Sequence, residues 1–261
     1  MSQQITKLYD KDDHICLFVT GLVDGEAIPS NQLVIIDHGE AALFDPGGDL
    51  TYSALSFELS KLINLKSLRY VCASHQDPDI IASLPRWLMH TNCCVVTSKL
   101  WARFLPHLVS GFVSERMNAS LAHRMIELPD EGGRIALGET SFQAVPAHFL
   151  HSVGNFHFYD PISKALFSGD VGAAITPGQD HLPVDDMATH IPRMEGFHRR
   201  YMAGNRACRE WVNRIRLMDV EMILPQHGKP FIGKKMVAEF LGWFERLECG
   251  VDLLPGNFHV R

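Results

Sequence analysis

Several features are missing from this chain, and each absence excludes a class of protein. No apolar run in its 261 residues is long enough to span a bilayer, so no membrane-embedded function is expected. The opening stretch MSQQITKLYDKDD has no basic segment followed by an apolar one, so no secretory leader is expected. The six cysteines (Cys16, Cys72, Cys93, Cys94, Cys208 and Cys249) contain no CxxC pair, and most sit inside apolar runs such as CCVV and YVCAS. They read as small buried hydrophobes and not as a disulfide framework, which makes a reducing cytoplasm the expected location. Strong charge is missing too: the net charge is -6, and nothing in it suggests a nucleic-acid partner. The one locally basic region (Arg193, Arg199, Arg200, Arg206, Arg209, Arg214 and Arg216) has loosely helical spacing and reads as a solvated helix face. The stretch DPGGDL (45–50) lacks the GK[ST] ending of a phosphate loop. No low-complexity linker or charge block marks a boundary, so residues 1–261 read as one domain.

Histidine, by contrast, is abundant: there are 14. It is the commonest metal ligand and a frequent acid–base group, so the question is which histidines fall where chemistry can use them. The runs CLFVTGLVD (16–24), QLVIIDHG (32–39) and AALFDPGG (41–48) read as strands, the last two as a hairpin. SALSFELSKLINL (53–65) has helical spacing after the candidate caps Asp49 and Thr51. A buried strand over 67–75 follows, then a helix over 79–90 interrupted by Pro85, a strand over 93–98 and a helix over 99–110. Residues 124–172 are dense in short strands, and the last part reads as helix (205–219), strand (221–228) and helix (234–247). Two sheets with outer helix layers are the economical arrangement.

Four of these segments place polar groups directly after an apolar strand: YVCAS-HQDPD, QAVPAHFL-H, KALFSG-D and EMILPQ-H. Strand ends and the loops after them are where α/β proteins build sites. The candidates are His75, Asp77, Asp79, His151, Asp170 and His227. Each has a bland alternative, as a hydrogen-bonded structural histidine, a turn aspartate or a helix cap. Six in this order are harder to assign to chance.

The set resembles the metallo-β-lactamase superfamily, whose pattern is HxHxDH, a later histidine, a bridging aspartate in SGD and a final histidine. Here it appears as HQDPDI, FLHSVGNFHFYDPISKALFSGD and PQHG. LVIIDHGEAALFDPGG resembles the family's N-terminal hairpin and puts Asp45 at its supporting aspartate. The resemblance covers nearly the whole chain and implies an α/β (α+β) fold, a four-layer αββα sandwich. Within the superfamily, the carboxylate at Asp77 resembles the diiron module of flavodiiron proteins and stand-alone oxygen-binding diiron proteins, and residues 196–228 look like the latter. Carried over residue by residue, one metal takes His75, Asp77 and His151, the other takes Asp79 and His227, and Asp170 bridges them. Three neutral imidazoles and three carboxylates are formally −3, a hard anionic set that suits iron, or manganese, better than the superfamily's zinc set. Zinc remains an alternative.

Ile80 replaces the last histidine of the pattern and cannot bind a metal, which leaves a candidate open position at the second metal for O2 or NO. His148 is an alternative occupant of that gap or a supporting residue, although strand periodicity puts 148 and 151 on opposite faces unless the strand ends between them. Tyr201 and His198, in GFHRRYM, are candidate pocket residues. The remaining histidines, His14, His157 and His259 among them, get the structural reading.

Three functions follow. The first is a non-haem diiron protein that binds O2 as a sensor or carrier, since the expected chain has no flavin-binding domain and no built-in electron source. The second is an O2 or NO reductase fed by a separate electron-transfer partner. The third is a metal-dependent hydrolase, disfavoured by Asp77 and Ile80. Candidate partners are O2 or NO, a signalling or electron-transfer protein, and a second copy of the chain in a homodimer.

Overall fold

The computed structural model describes residues 4–23, 27–116 and 121–254; Asp24, at the end of one predicted strand, and His259 lie outside them. Among the described residues, thirteen strands are arranged in two sheets. The first contains β1 (Gln4–Lys11), β2 (His14–Thr20), β3 (Gln32–Asp37), β4 (Glu40–Phe44), β5 (Leu68–Cys72), β6 (Cys94–Ser98) and β7 (Met125–Leu128), in sequence order. It is antiparallel from β1 to β4 and parallel from β4 to β7. The second contains β8 (Gly133–Leu137), β9 (Thr140–Pro146), β10 (Phe156–Asp160), β11 (Ala165–Phe167), β12 (Met222–Leu224) and β13 (Phe231–Ile232), again with sequence neighbours paired. Only β11 and β12 are parallel there.

The side-chain period of two divides the apolar residues into three cores. Cys16, Phe18, Leu33, Ile35 and Phe44 on the first sheet face Phe142, Ala144, Phe158, Ala165 and Phe167 on the second. The alternate residues Leu17, Val19, Val34, Ile36 and Leu43 face outward onto α1 (Asp49–Leu62), α2 (Pro78–Ile81) and α3 (Leu84–His90). On the far side, Val145, Leu166, Ile223 and Phe231 meet three further helices. These are α6 (Met187–Tyr201), α7 (Asn205–Arg216) and α8 (Lys234–Phe244), numbered after the short α4 (Lys99–Ala102) and α5 (Gly111–Arg116). The expected four-layer αββα sandwich is therefore present.

Most predicted elements form, with ends moved by local chemistry. The helix expected from 79 is two pieces, with Pro85 in the first turn of the second, where a missing N–H costs nothing. Asp49 and Thr51 do not cap α1 by accepting backbone N–H groups: Thr51 Oγ1 donates to Gly48 O, and Asp49 pairs with Arg86. The basic segment is a helix face, as read: on α7, Cys208, Trp211, Val212 and Ile215 are buried, and Arg216 makes a bidentate pair with Glu245. Helix α6 is foreseen only through the helical spacing of Arg193, Arg199 and Arg200, because Pro192 lies inside it, and strand β1, a half-exposed edge without a clean apolar run, is absent from the sequence reading.

One buried polar cluster joins the sheets. His14 on β2 places Nδ1 2.7 Å from Asp37 Oδ1 on β3 and Nε2 2.9 Å from Asp160 Oδ2 on β10. Burial alone would lower the His14 pKa, but the two carboxylates outweigh it and hold the pKa above its ordinary value. The imidazolium in turn keeps both aspartates below theirs despite their own burial. The stability His14 contributes is fully present below its unfolded pKa, about 6.5, and is lost as pH rises through the raised folded value. That of Asp37 and Asp160 is present above about 3.9 and is lost as pH falls through their lowered folded values. Urea unfolding of metal-free protein is therefore expected to show a loss of stability from pH 6 to pH 9, and His14→Asn is expected to flatten that slope.

Candidate metal centre

Both sheets deliver chain to one edge. The segments after β4, β5, β9, β11 and β12 carry Asp45, His75, His151, Asp170 and His227, and α2 adds Asp77 and Asp79. The hydrogen bond from Phe156 N–H to Ser74 O joins the sheets at this edge, and Gln226 N–H donates to Gly169 O beneath the Asp170 loop.

His75, Asp77, His151 and Asp170 converge, with one donor atom of each within 4.8 Å of all the others. His151 Nε2 lies 2.9 Å from Asp170 Oδ2 and 3.3 Å from Asp77 Oδ2; His75 Nε2 lies 3.7 and 3.6 Å from the same two atoms. His227 Nε2 lies 3.5 Å from the other Asp170 oxygen, Oδ1, and 3.3 Å from Asp79 Oδ2. The Asp170 carboxylate thus turns one oxygen to each group of donors. Atoms about 2.1 Å from a common ion stand roughly 3 to 3.5 Å apart, close to most of these separations. Two of the buried atoms, His75 Nε2 and Asp170 Oδ1, have no hydrogen-bond partner, as expected of groups kept for a metal.

Two of the three histidines, His75 and His227, are oriented through the other ring nitrogen. Ser74 Oγ is 2.9 Å from His75 Nδ1 and donates to Asp45 Oδ2 at 2.8 Å, while Ser74 N–H donates to Asp45 Oδ1 at 2.7 Å. His75 Nδ1–H then donates to Ser74, leaving Nε2 bare. Asp45 is therefore linked to His75 through Ser74, and burial pushes its carboxyl up to about 7. His227 Nδ1–H donates to Pro29 O at 2.6 Å. Asp77 sits at the N-cap of α2 but makes no cap hydrogen bond, so its Oδ2 stays turned to the imidazoles. Burial would raise the Asp170 pKa, yet His75, His151 and His227 hold it well below the carboxylate range.

Two residues, Ile80 and His148, are placed differently from their sequence reading, and His198, a candidate supporting residue, stands behind the Asp170 loop and not in the pocket wall. Ile80 does not border the metal donors: it is fully buried in the core under α1 and α3, and its carbonyl accepts from Gly47 N–H. The open side persists for another reason, because Asp79, His227 and one Asp170 oxygen are fewer donors than the opposite group has. His148 does not join the converging donors. Strand β9 ends at Pro146, and in the following turn His148 bonds Asp130 O at 2.8 Å and packs on Phe156, away from His151. His198 does not line the pocket; it is fully buried, Nδ1–H donates to Met194 O, and Nε2 accepts from Gly172 N–H at 2.9 Å, which fixes the loop two residues beyond Asp170. Tyr201 does line the cavity, stacked on Phe197 and edge-on to His151. That cavity, of about 710 Å³, also has Val23, Ile28, Leu50 and Ile175 in its walls.

Gln76, like Ser74, is a site residue that the sequence does not flag. Its Nε2 donates to Asp77 Oδ1 at 3.0 Å and its Oε1 accepts from Ser152 Oγ at 2.7 Å, so it ties the two ligand loops together. Its only signal is its place between His75 and Asp77.

The fold and this donor arrangement define a class: a two-metal module of metallo-β-lactamase type. The model of the ODP family beta lactamase matches residues 28–228, and the chain belongs to that family. Among solved structures, it is 36% identical to one described as the peroxy diiron species of the chemotaxis sensor ODP, covering 95% of this chain and 97% of that one with a TM-score of 0.82. It is 35% identical to the apo state of chemotaxis sensor ODP from T. denticola, covering 97% and 98% with a TM-score of 0.81. Rubredoxin oxygen:oxidoreductase from Desulfovibrio gigas shares the fold at 16% identity, covering 93% of this chain but 61% of that one, with a TM-score of 0.76. An uncharacterized protein of Methanocaldococcus jannaschii is 21% identical over 210 residues, 79% of this chain; the chain spans about half, 50%, of that curated relative. No helix among the described residues is long and apolar enough to cross a membrane.

Ser74→Ala removes the partner of His75 Nδ1 and is expected to weaken metal binding by about 10- to 100-fold, the usual cost of losing such a support. Chelator competition measures it, with an unchanged far-ultraviolet circular dichroism spectrum as the control.

Proposed function

We propose that residues 1–261 work as one non-haem diiron unit that binds O2 at this centre, as a sensor or carrier. The carrying observation is the Asp170 carboxylate, with one oxygen toward His75, Asp77 and His151 and the other toward Asp79 and His227. The likeness to the chemotaxis sensor described as a peroxy diiron species supports the choice of metal and ligand. Two irons bound here supply a redox-active centre for O2. The protein's own residues do the rest. His75, Asp77 and His151 hold one position and Asp79 and His227 the other, with the carboxylate-rich set favouring hard metals such as iron over zinc. The thinner donor set of the second position leaves room for a diatomic ligand, and the cavity beside Tyr201 gives access to it.

A reductase of O2 or NO is the second reading, favoured by the shared fold with rubredoxin oxygen:oxidoreductase, in which the match covers 61% of the chain. Its electrons then come from a separate protein. A hydrolase fits the donor set less well, because Asp77 stands where the superfamily's zinc sites have histidine.

Anaerobic purification with metal analysis, followed by optical spectra before and after O2, tests the proposal. Two irons per chain and a new visible charge-transfer band on oxygenation are expected; two zincs and no spectral response contradict both oxygen readings. Added electron donor then separates sensor from reductase by the absence or presence of turnover. Asp77→His is expected to raise the zinc-to-iron ratio of protein loaded from an equimolar mixture of the two metals.

A further inference from the structure

Outside the metal centre, two cysteines that the sequence reads as inert core lie side by side. Cys208 belongs to the buried stripe of α7, and Cys249 to the segment after α8. Their Sγ atoms are 3.7 Å apart, and both residues are fully buried free thiols. A disulfide bond is about 2.05 Å long, so closure needs the sulfurs to approach by roughly 1.7 Å. Cys249 lies outside regular sheet and helix, just ahead of a short 3-10 turn, Gly250–Leu253, where such a shift displaces no strand or long helix. Either S–H can point at the other sulfur, and the contact holds the Cys249 thiol below its ordinary pKa, with Arg199 adding to the effect and burial and Asp252 opposing it. A thiolate-leaning sulfur beside a second thiol is the arrangement from which disulfides form.

We propose that Cys208 and Cys249 form a redox-active dithiol that hydrogen peroxide, or another hydroperoxide, oxidises to an intramolecular disulfide. A small uncharged oxidant suits a pair shielded from bulk solvent. The Cys249 thiolate attacks one peroxide oxygen; the O–O bond breaks, hydroxide leaves and is protonated to water, and the sulfur becomes a sulfenic acid. The Cys208 sulfur then attacks that sulfur; the S–O bond breaks, and the departing hydroxide takes the Cys208 proton as a second water. The two thiols give up two electrons and two protons, and peroxide accepts them.

The bond would act on more than the pair. Val251 N–H donates to Ala203 O at 2.9 Å, and Ala203 N–H donates to Phe149 O at 3.2 Å, two residues before His151. Asp252 accepts from both Asn205 N–H and Cys249 N–H. Gly250, at φ +50°, seats the segment so closely that a Cβ there would meet the Met202 and Ala203 carbonyls at 2.2 and 2.3 Å. A disulfide therefore fastens α7 to a segment already hydrogen-bonded toward the loop that presents His151.

The test uses the full-length protein as purified and after stripping of metal, each reduced, exposed to hydrogen peroxide or to diamide, unfolded in alkylating reagent and digested without reduction. Mass spectrometry is expected to show a linked Cys208–Cys249 peptide in both preparations. Two of the six thiols should be lost, and both changes reversed by dithiothreitol. Cys249→Ser should show no linked peptide and keep its remaining thiols. Full alkylation of Cys208 and Cys249 after both oxidants overturns the proposal, and so does oxidation of the partly exposed Cys94 ahead of the pair. Because oxidant is added and stripped protein is included, the outcome stands apart from whether the centre binds iron or O2.

Discussion

A carboxylate in the interior sets the terms for this structure. Asp170 is almost fully buried, and an ionised group there is tolerated only when opposite charge surrounds it. Three imidazoles do so, from loops that follow three different strands, and two bound cations would do so more strongly. Removing one partner of such a buried pair typically costs about 3–5 kcal/mol, so the loops carrying His75, His151 and His227 are held in register by the charge they enclose. The Gly172 N–H that fixes the next turn is itself held by His198, which burial keeps neutral with a pKa near 4 and therefore able to accept.

The sandwich makes this tolerable. Three apolar cores hold the two sheets and their helices, and His14 clamps the sheets together through Asp37 and Asp160. The strand ends then form a rigid rim on which supporting contacts such as Asp45–Ser74–His75 and Gln76–Ser152 fix individual side chains. A site built this way keeps its donors oriented before any metal arrives, and the unpartnered His75 Nε2 and Asp170 Oδ1 are its signature.

Much of this was legible in the sequence, for physical reasons. The candidate donors follow apolar strands, so strand ends and residue chemistry pick out His75, Asp77, Asp79, His151, Asp170 and His227, the resemblance to the superfamily groups them as one set, and the alternating runs imply two sheets with helices outside. What stayed hidden depends on where a side chain points in an irregular loop. His148 and His151 are three residues apart, yet the turn after Pro146 sends them to different sides. Ile80 occupies a family ligand position but turns into the helix-side core. The contact between Cys208 and Cys249 exists only once α7 and the segment after α8 have docked.

The central claim is that the donors around Asp170 would hold two metals in one centre. Electron paramagnetic resonance of the iron-loaded, air-oxidised protein tests it most directly. Two ferric ions held side by side by these donors would couple antiferromagnetically, so a sample holding two irons per chain should give almost no signal, and partial reduction should bring up that of a coupled mixed-valent pair. A full-intensity signal from isolated high-spin ferric iron would contradict the account.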